Sequence, residues 1–295
     1  MTRMSVMRTR VIWTQTERFI LSDRVNFFQT KDHVMPSVND GRRLTGPESS
    51  LPYSVFASQQ SRSQKKREGR GEDELRKIFL STGVMSKAQG SAYIEQGRTK
   101  VIVGVWGPRE VQRRSDFSMS GSLTAEFKFA PFSRRSERDS VRGEEEELGL
   151  VVSEALASTV CLDKYPKSVL EVGVTVLEDD GSVLAAALTG AGLALASAGV
   201  HMSDLVVGVK LGLAGDSLLV DPEAGEEREV EGEVVVGVLP GLDQVVACVS
   251  QGLLSPAQLS SALAAASQHA ATVLPAVQQE LVTIFQRKKL KDNQK

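Results

Sequence analysis

Residues 183–199, VLAAALTGAGLALASAG, are apolar or small around the whole circumference of a helix, and such a helix must be covered on every side. No apolar run in the chain is long enough to be read as crossing a bilayer, so the cover has to be protein. With 41% hydrophobic but only 5% aromatic residues, that protein interior is built mainly from Val, Leu and Ala.

The flanking sequence supplies the sheets. Residues 90–107 read as a hairpin: a short strand, a turn at Gln96-Gly97, and the β-branched run Val101–Val105. Residues 122–130 alternate well enough for another strand. In residues 144–161 the period changes, with Leu148, Val152, Ala155 and Thr159 on one helical stripe and Glu144–Glu147 at the start, where carboxylates suit the positive end of the dipole. Val172, Val174 and Val176 alternate with Glu171, Gly173 and Thr175 as a half-buried strand over 169–177, and Asp179-Asp180-Gly181 turns the chain into the apolar helix. Further strands are expected at 204–213, 217–220, 233–239 and 244–250. Ser255-Pro256 opens a last helix carrying Leu274, Val277, Leu281 and Ile284, with Pro275 as a kink or break. The order of elements points to an α+β architecture with helices packed on mixed sheets.

The net charge of −2 hides a split: residues 1–142 hold 26 Lys/Arg and 15 Asp/Glu, whereas residues 143–295 hold 9 and 22. Residues 1–74 carry little apolar period, and Gln60–Glu74 reads as a flexible linker, leaving a folded region over 75–290 and a short tail over 291–295. Arg3, Arg8 and Arg10 without an acid resemble an organellar transit peptide, while Met35 offers an alternative start.

Two cysteines far apart, Cys161 and Cys248, exclude a disulfide scaffold and a zinc module. His33, His201 and His269 fall in no nucleophile motif, and glycine-rich phosphate cradles are absent. Thr189-Gly190-Ala191-Gly192 lies inside the buried helix, where glycine serves close packing. The acidic run 223–233 reads as a solvated loop before a metal site. Arg109, Arg113 and Arg114 leave one strand end, and Arg134, Arg135, Arg138 and Arg142 follow another. Arginine grips phosphate oxygens with paired hydrogen bonds, so Arg109, Arg113, Arg114, Arg134 and Arg135 are candidates to position a polynucleotide backbone, set against ordinary charged loops.

The stretch GSAYIEQGRTKVIVGVWGPRE at 90–110 resembles the opening of the RNase PH family, and FKFAPFSRR at 127–135, VLEVGVTVLEDDG at 169–181, AAALTGAGLALASAGV at 185–200 and VLPGLDQV at 238–245 continue the resemblance. It covers about residues 75–290 and implies the RNase PH-like fold, related to the second domain of ribosomal protein S5. Phosphorolytic members carry Gly-Gly-Thr-Arg-Thr after the central strand, and the Thr and Arg bind the attacking phosphate. Here Ser182, Val183 and Leu184 stand in that stretch, with Leu184 at the arginine position, and an aliphatic side chain offers an anion no donor. Those members also carry an Arg ahead of the first long helix; Glu144 falls at about that place, with Arg142 close by. Their two metal-holding aspartates, six residues apart, correspond to Glu227 with Glu233, or to Gly225 with Glu231.

The resemblance with these departures implies a silent subunit of a six-membered RNase PH-like ring, the core of the RNA exosome. It implies no cofactor and no metal. The partners implied are other ring subunits, S1/KH cap subunits and single-stranded RNA, with no membrane, in nucleus, nucleolus and cytoplasm. The alternative is an active phosphate-dependent exoribonuclease on the same fold.

Overall fold

A computed structural model describes residue 67 and residues 70–110, 119–134, 138–215 and 217–292. The buried helix finds its cover between two sheets. A five-stranded sheet contains β1 (Ile78–Thr82), β2 (Gly90–Gln96), β3 (Thr99–Glu110), β4 (Ser122–Phe129) and β5 (Ser168–Glu178), in the order β1-β2-β3-β5-β4. Only the β4–β5 pair is parallel, joined by helix α1 (Arg138–Thr159), so the sheet is mixed. A four-stranded antiparallel sheet contains β6 (Val207–Ala214), β7 (Ser217–Val220), β8 (Gly232–Leu239) and β9 (Gln244–Gly252), in the order β7-β6-β8-β9.

Helix α2 (Val183–Ala198) packs against β2 and β3 on one side and β6 and β8 on the other. Leu188, Leu193 and Leu195 on this helix are fully buried, and they join Val103 of one sheet and Val236 of the other in a single core. Its glycines serve that contact: a Cβ on Gly190 would press on Val103 and Ile94, and one on Gly192 on the Val206 backbone. Gly199, at φ 78°, caps the helix in the left-handed conformation. The expected α+β architecture holds, and among the described residues no helix is long and apolar enough to cross a membrane.

Three local features add to or differ from the sequence reading. Helix α1 starts at Arg138, not Glu144, so Glu144–Glu147 sit past the first turn; Glu144 and Glu146 accept from Arg134 and Arg142, and Glu145 from the Phe129 N–H. The last helix, α4 (Pro256–Asp292), runs through Pro275 without a break, because its burial of Ala262, Ala266, Ala270, Val273 and Val277 outweighs one missing backbone donor. Strand β1 went unread because it is a short edge strand without clean alternation. The N-terminal segment with Arg3, Arg8 and Arg10, together with His33 and Met35, lies outside the described residues.

Candidate functional site

The turn after β5, the start of α2, β6, the β7–β8 connection and the start of α1 converge on a hollow of about 400 Å³. The turn is tightly specified. Gly181 has φ 83°, and a Cβ there would lie 2.8 Å from the Glu227 carboxylate and from the Pro222 carbonyl oxygen. Ser182 follows with φ 56°, held by its N–H donating to Glu227 Oε1 at 2.8 Å and its hydroxyl donating to the Pro222 carbonyl at 3.1 Å. Leu184 is only 6% exposed, lines the hollow and belongs to the core.

Behind the turn stands a buried arginine. Arg76 Nη1 donates to the Asp180 carbonyl at 2.9 Å and Nη2 to the Gly181 carbonyl at 3.2 Å, while Nε and Nη2 grip Asp221 at 2.8 and 2.6 Å. Thr99 Oγ1 donates to the same Gly181 carbonyl at 2.7 Å. Burial opposes the Asp221 charge, but the Arg76 guanidinium outweighs it and holds the carboxyl below its usual range. Asp221 also donates its backbone N–H to the Lys210 carbonyl at 2.8 Å, which ties β6 to this turn.

The acidic run that reads as a solvated loop is partly folded in. It forms the short helix α3 (Ala224–Glu227) with a capping box between Glu223 and Glu226. Lys210 Nζ lies 2.7 Å from Glu227 Oε1 and 2.7 Å from Glu233 Oε2. Burial alone would lower the Lys210 ammonium, but the two carboxylates prevail and hold its pKa above the ordinary lysine value. Of the Gln60–Glu74 stretch, the described Arg67 and Arg70 are drawn to Glu226 of the same helix, at 2.9 and 3.2 Å.

The predicted site residues divide. Arg134 has turned inward: its guanidinium stacks on the Phe129 ring at 3.8 Å and pairs with Glu144 at 2.7 Å and Asp179 at 3.4 Å. Two carboxylates and an aromatic face already engage it, although its side chain keeps 26% of its exposure. Arg109 is 59% exposed and paired with Glu171 at 3.1 Å across β3 and β5. Arg113, Arg114 and Arg135 lie outside the described residues. Neither His201 nor His269 lines the hollow; His269 Nε2 meets Asp73 at 2.7 Å. Sequence reading missed Lys210, although a lone lysine in the apolar strand VGVKLGLA was the available signal, since a buried ammonium needs partners.

The electrostatics follow from these pairs. Among the described residues, Glu144, Glu147, Asp179, Glu227 and Glu233 face the hollow against Arg134 and Lys210, and each of these cations is shared by two carboxylates. Burial pushes the Asp179 carboxyl above its usual range, against the pull of the Gly181 N–H and Arg134. These described groups carry a net negative charge that disfavours an anion, and the backbone N–H that precedes α2 is taken by the protein's own Glu227. A metal ion between Glu227 and Glu233 does not fit either, because the Lys210 ammonium stands within hydrogen-bond distance of both.

Comparison with known proteins agrees with this architecture. The family model described as 3' exoribonuclease family, domain 1, matches residues 74–201, and that for domain 2 matches residues 204–269. The chain is 40% identical over 229 residues to "Exosome complex component MTR3" of Homo sapiens, covering 72% of this chain and 83% of that protein. It is 39% identical over 178 residues to "Exosome complex component Rrp41" of Pyrobaculum neutrophilum, covering 59% and 72%. The solved archaeal exosome core superposes with a TM-score of 0.61 at 26% identity, over 71% of this chain and 90% of that one. The sheets, the helix between them and these matches together place the chain in the RNase PH family of 3' exoribonucleases.

Proposed function

We propose that this protein is a non-catalytic subunit of the RNA exosome core ring, a counterpart of the MTR3 component, which supports RNA processing and degradation by scaffolding and by threading single-stranded RNA. One observation carries the reading: in the hollow beside the stretch where the family resemblance expects a phosphate site, Leu184 offers no donor, and the described cations Arg134 and Lys210 are already paired with carboxylates. Phosphoryl transfer asks a protein chiefly to position the nucleophile and stabilise developing negative charge. A net acidic hollow with no uncommitted cation among its described residues does neither.

The partners are other RNase PH-type ring subunits, S1/KH cap subunits and single-stranded RNA, and the setting is nucleus, nucleolus and cytoplasm. Arg109, Arg113, Arg114, Arg134 and Arg135 are the groups proposed to face RNA. Native purification tests the assignment: related ring subunits co-elute with the chain in constant proportion, whereas a lone monomer at all concentrations argues for a free-standing protein.

The alternative, an active phosphate-dependent exoribonuclease, is probed by Leu184→Arg. On the present reading the new guanidinium pairs with Glu144 or Glu147 on the same lining, and nucleoside diphosphate release stays at background. Release that rises above background in the variant favours the alternative.

A further inference from the structure

We infer that Lys210 is a built-in replacement for a divalent cation: its ammonium closes the Glu227/Glu233 pair to metal ions, and removing the lysine opens a metal site there. The geometry comes from strand register. Lys210 on β6 pairs with Val235 on β8, and Glu233 pairs with Gly212, so Lys210 and Glu233 are diagonal neighbours on one face of the sheet. Gly212 opposite Glu233 carries no side chain, and the space beside it is taken by Val230. From the other side, Glu227 at the end of α3 brings its Oε1 to the same nitrogen. Carboxylate oxygens around a divalent ion lie about 2.0–2.6 Å from it, so an ion here competes for the space the ammonium fills.

Charge and burial make that occupancy lasting. The Lys210 side chain is 10% exposed, so the ammonium has little water to retreat to. Expelling it would leave an unpaired buried cation or force its deprotonation, while the incoming ion would face a like charge at close range. Glu227 Oε1 is further engaged by the Ser182 N–H. Among the described residues no group of three or more His, Cys, Asp or Glu is placed to hold a metal. Two carboxylates with bound water nevertheless suffice for a six-coordinate ion once the ammonium is gone.

The inference goes beyond the ring-subunit reading and does not depend on it, because metal uptake can be measured whether or not the chain joins a ring. The test uses Mn2+ and the full chain, with bound ion read by loss of its free electron paramagnetic resonance signal. The wild type is expected to show no Mn2+ binding that Glu233→Gln removes. Lys210→Ala is expected to gain one Mn2+ per chain, lost again when Glu233→Gln is added. Should Lys210→Ala fail to fold, Lys210→Met keeps the stem, and Mn2+ is expected to raise its melting temperature while leaving that of the wild type unchanged. Wild-type Mn2+ binding that depends on Glu233, or lysine variants that fold and take up no ion, would overturn the inference.

Discussion

Asp221→Ala is expected to lower the unfolding free energy by about 3–5 kcal/mol, because it strands the Arg76 guanidinium in a site where that residue is only 6% exposed. For a folded region of this size the melting temperature then falls by roughly 10 °C. The loss reaches the hollow as well as the core. Arg76 spans Asp221 and the carbonyls of Asp180 and Gly181, so releasing it frees the turn that presents Ser182 and Leu184. Urea unfolding at neutral pH measures the effect. Its pH dependence has a definite sign: the folded Asp221 carboxyl lies below its ordinary value of 3.8, so its stabilisation is complete above that value and fades as pH falls through the depressed one. Asp221→Asn should remove that acid-side slope, and an unchanged slope would show that Arg76 does not hold the carboxylate.

Gly208→Val is expected to abolish the native fold, or to cost more than about 4 kcal/mol if any folded protein survives. Gly208 on β6 lies against the backbone of Ala185 on α2, so that even a Cβ would meet the Ala185 carbonyl oxygen and, at 2.7 Å, its Cα. Backbone on both sides leaves no side chain free to yield. The Gly208 N–H also donates to Thr189 Oγ1 at 2.9 Å, which any separation of strand and helix would break. The same contact brings Lys210, two residues along β6, to the end of α2 where Leu184 sits. Near-ultraviolet circular dichroism and soluble yield report the outcome. Gly225→Ala is the control: its Cβ meets nothing within 4 Å, and stability should change by less than about 1 kcal/mol.

These two residues show where sequence reading reaches and where it stops. Alternation located β5, and all-round apolarity identified α2 as a helix buried between layers, since both patterns are one-dimensional consequences of burial. Leu184 was legible because the stretch after Gly181 has a strong family pattern to depart from. Glu227 and Glu233 are visible as a spacing, but their partner is not: Lys210 is 17 positions before Glu227, and it meets Glu233 through strand register and Glu227 through the placement of α3. Arg134 read as a loop cation because nothing local shows that Phe129, Glu144 and Asp179 fold around it. Local pattern therefore supplies the elements, and the ion pairs that engage the cations of the hollow require the tertiary fold.

The account turns on whether the hollow beside α2 can hold an inorganic anion. Calorimetric titration of orthophosphate into the full-length chain, with single-stranded RNA present, measures this directly. The prediction is an absence of saturable binding, with identical heats for the wild type and Leu184→Asp. Saturable phosphate binding in the wild type that Leu184→Asp abolishes would contradict it.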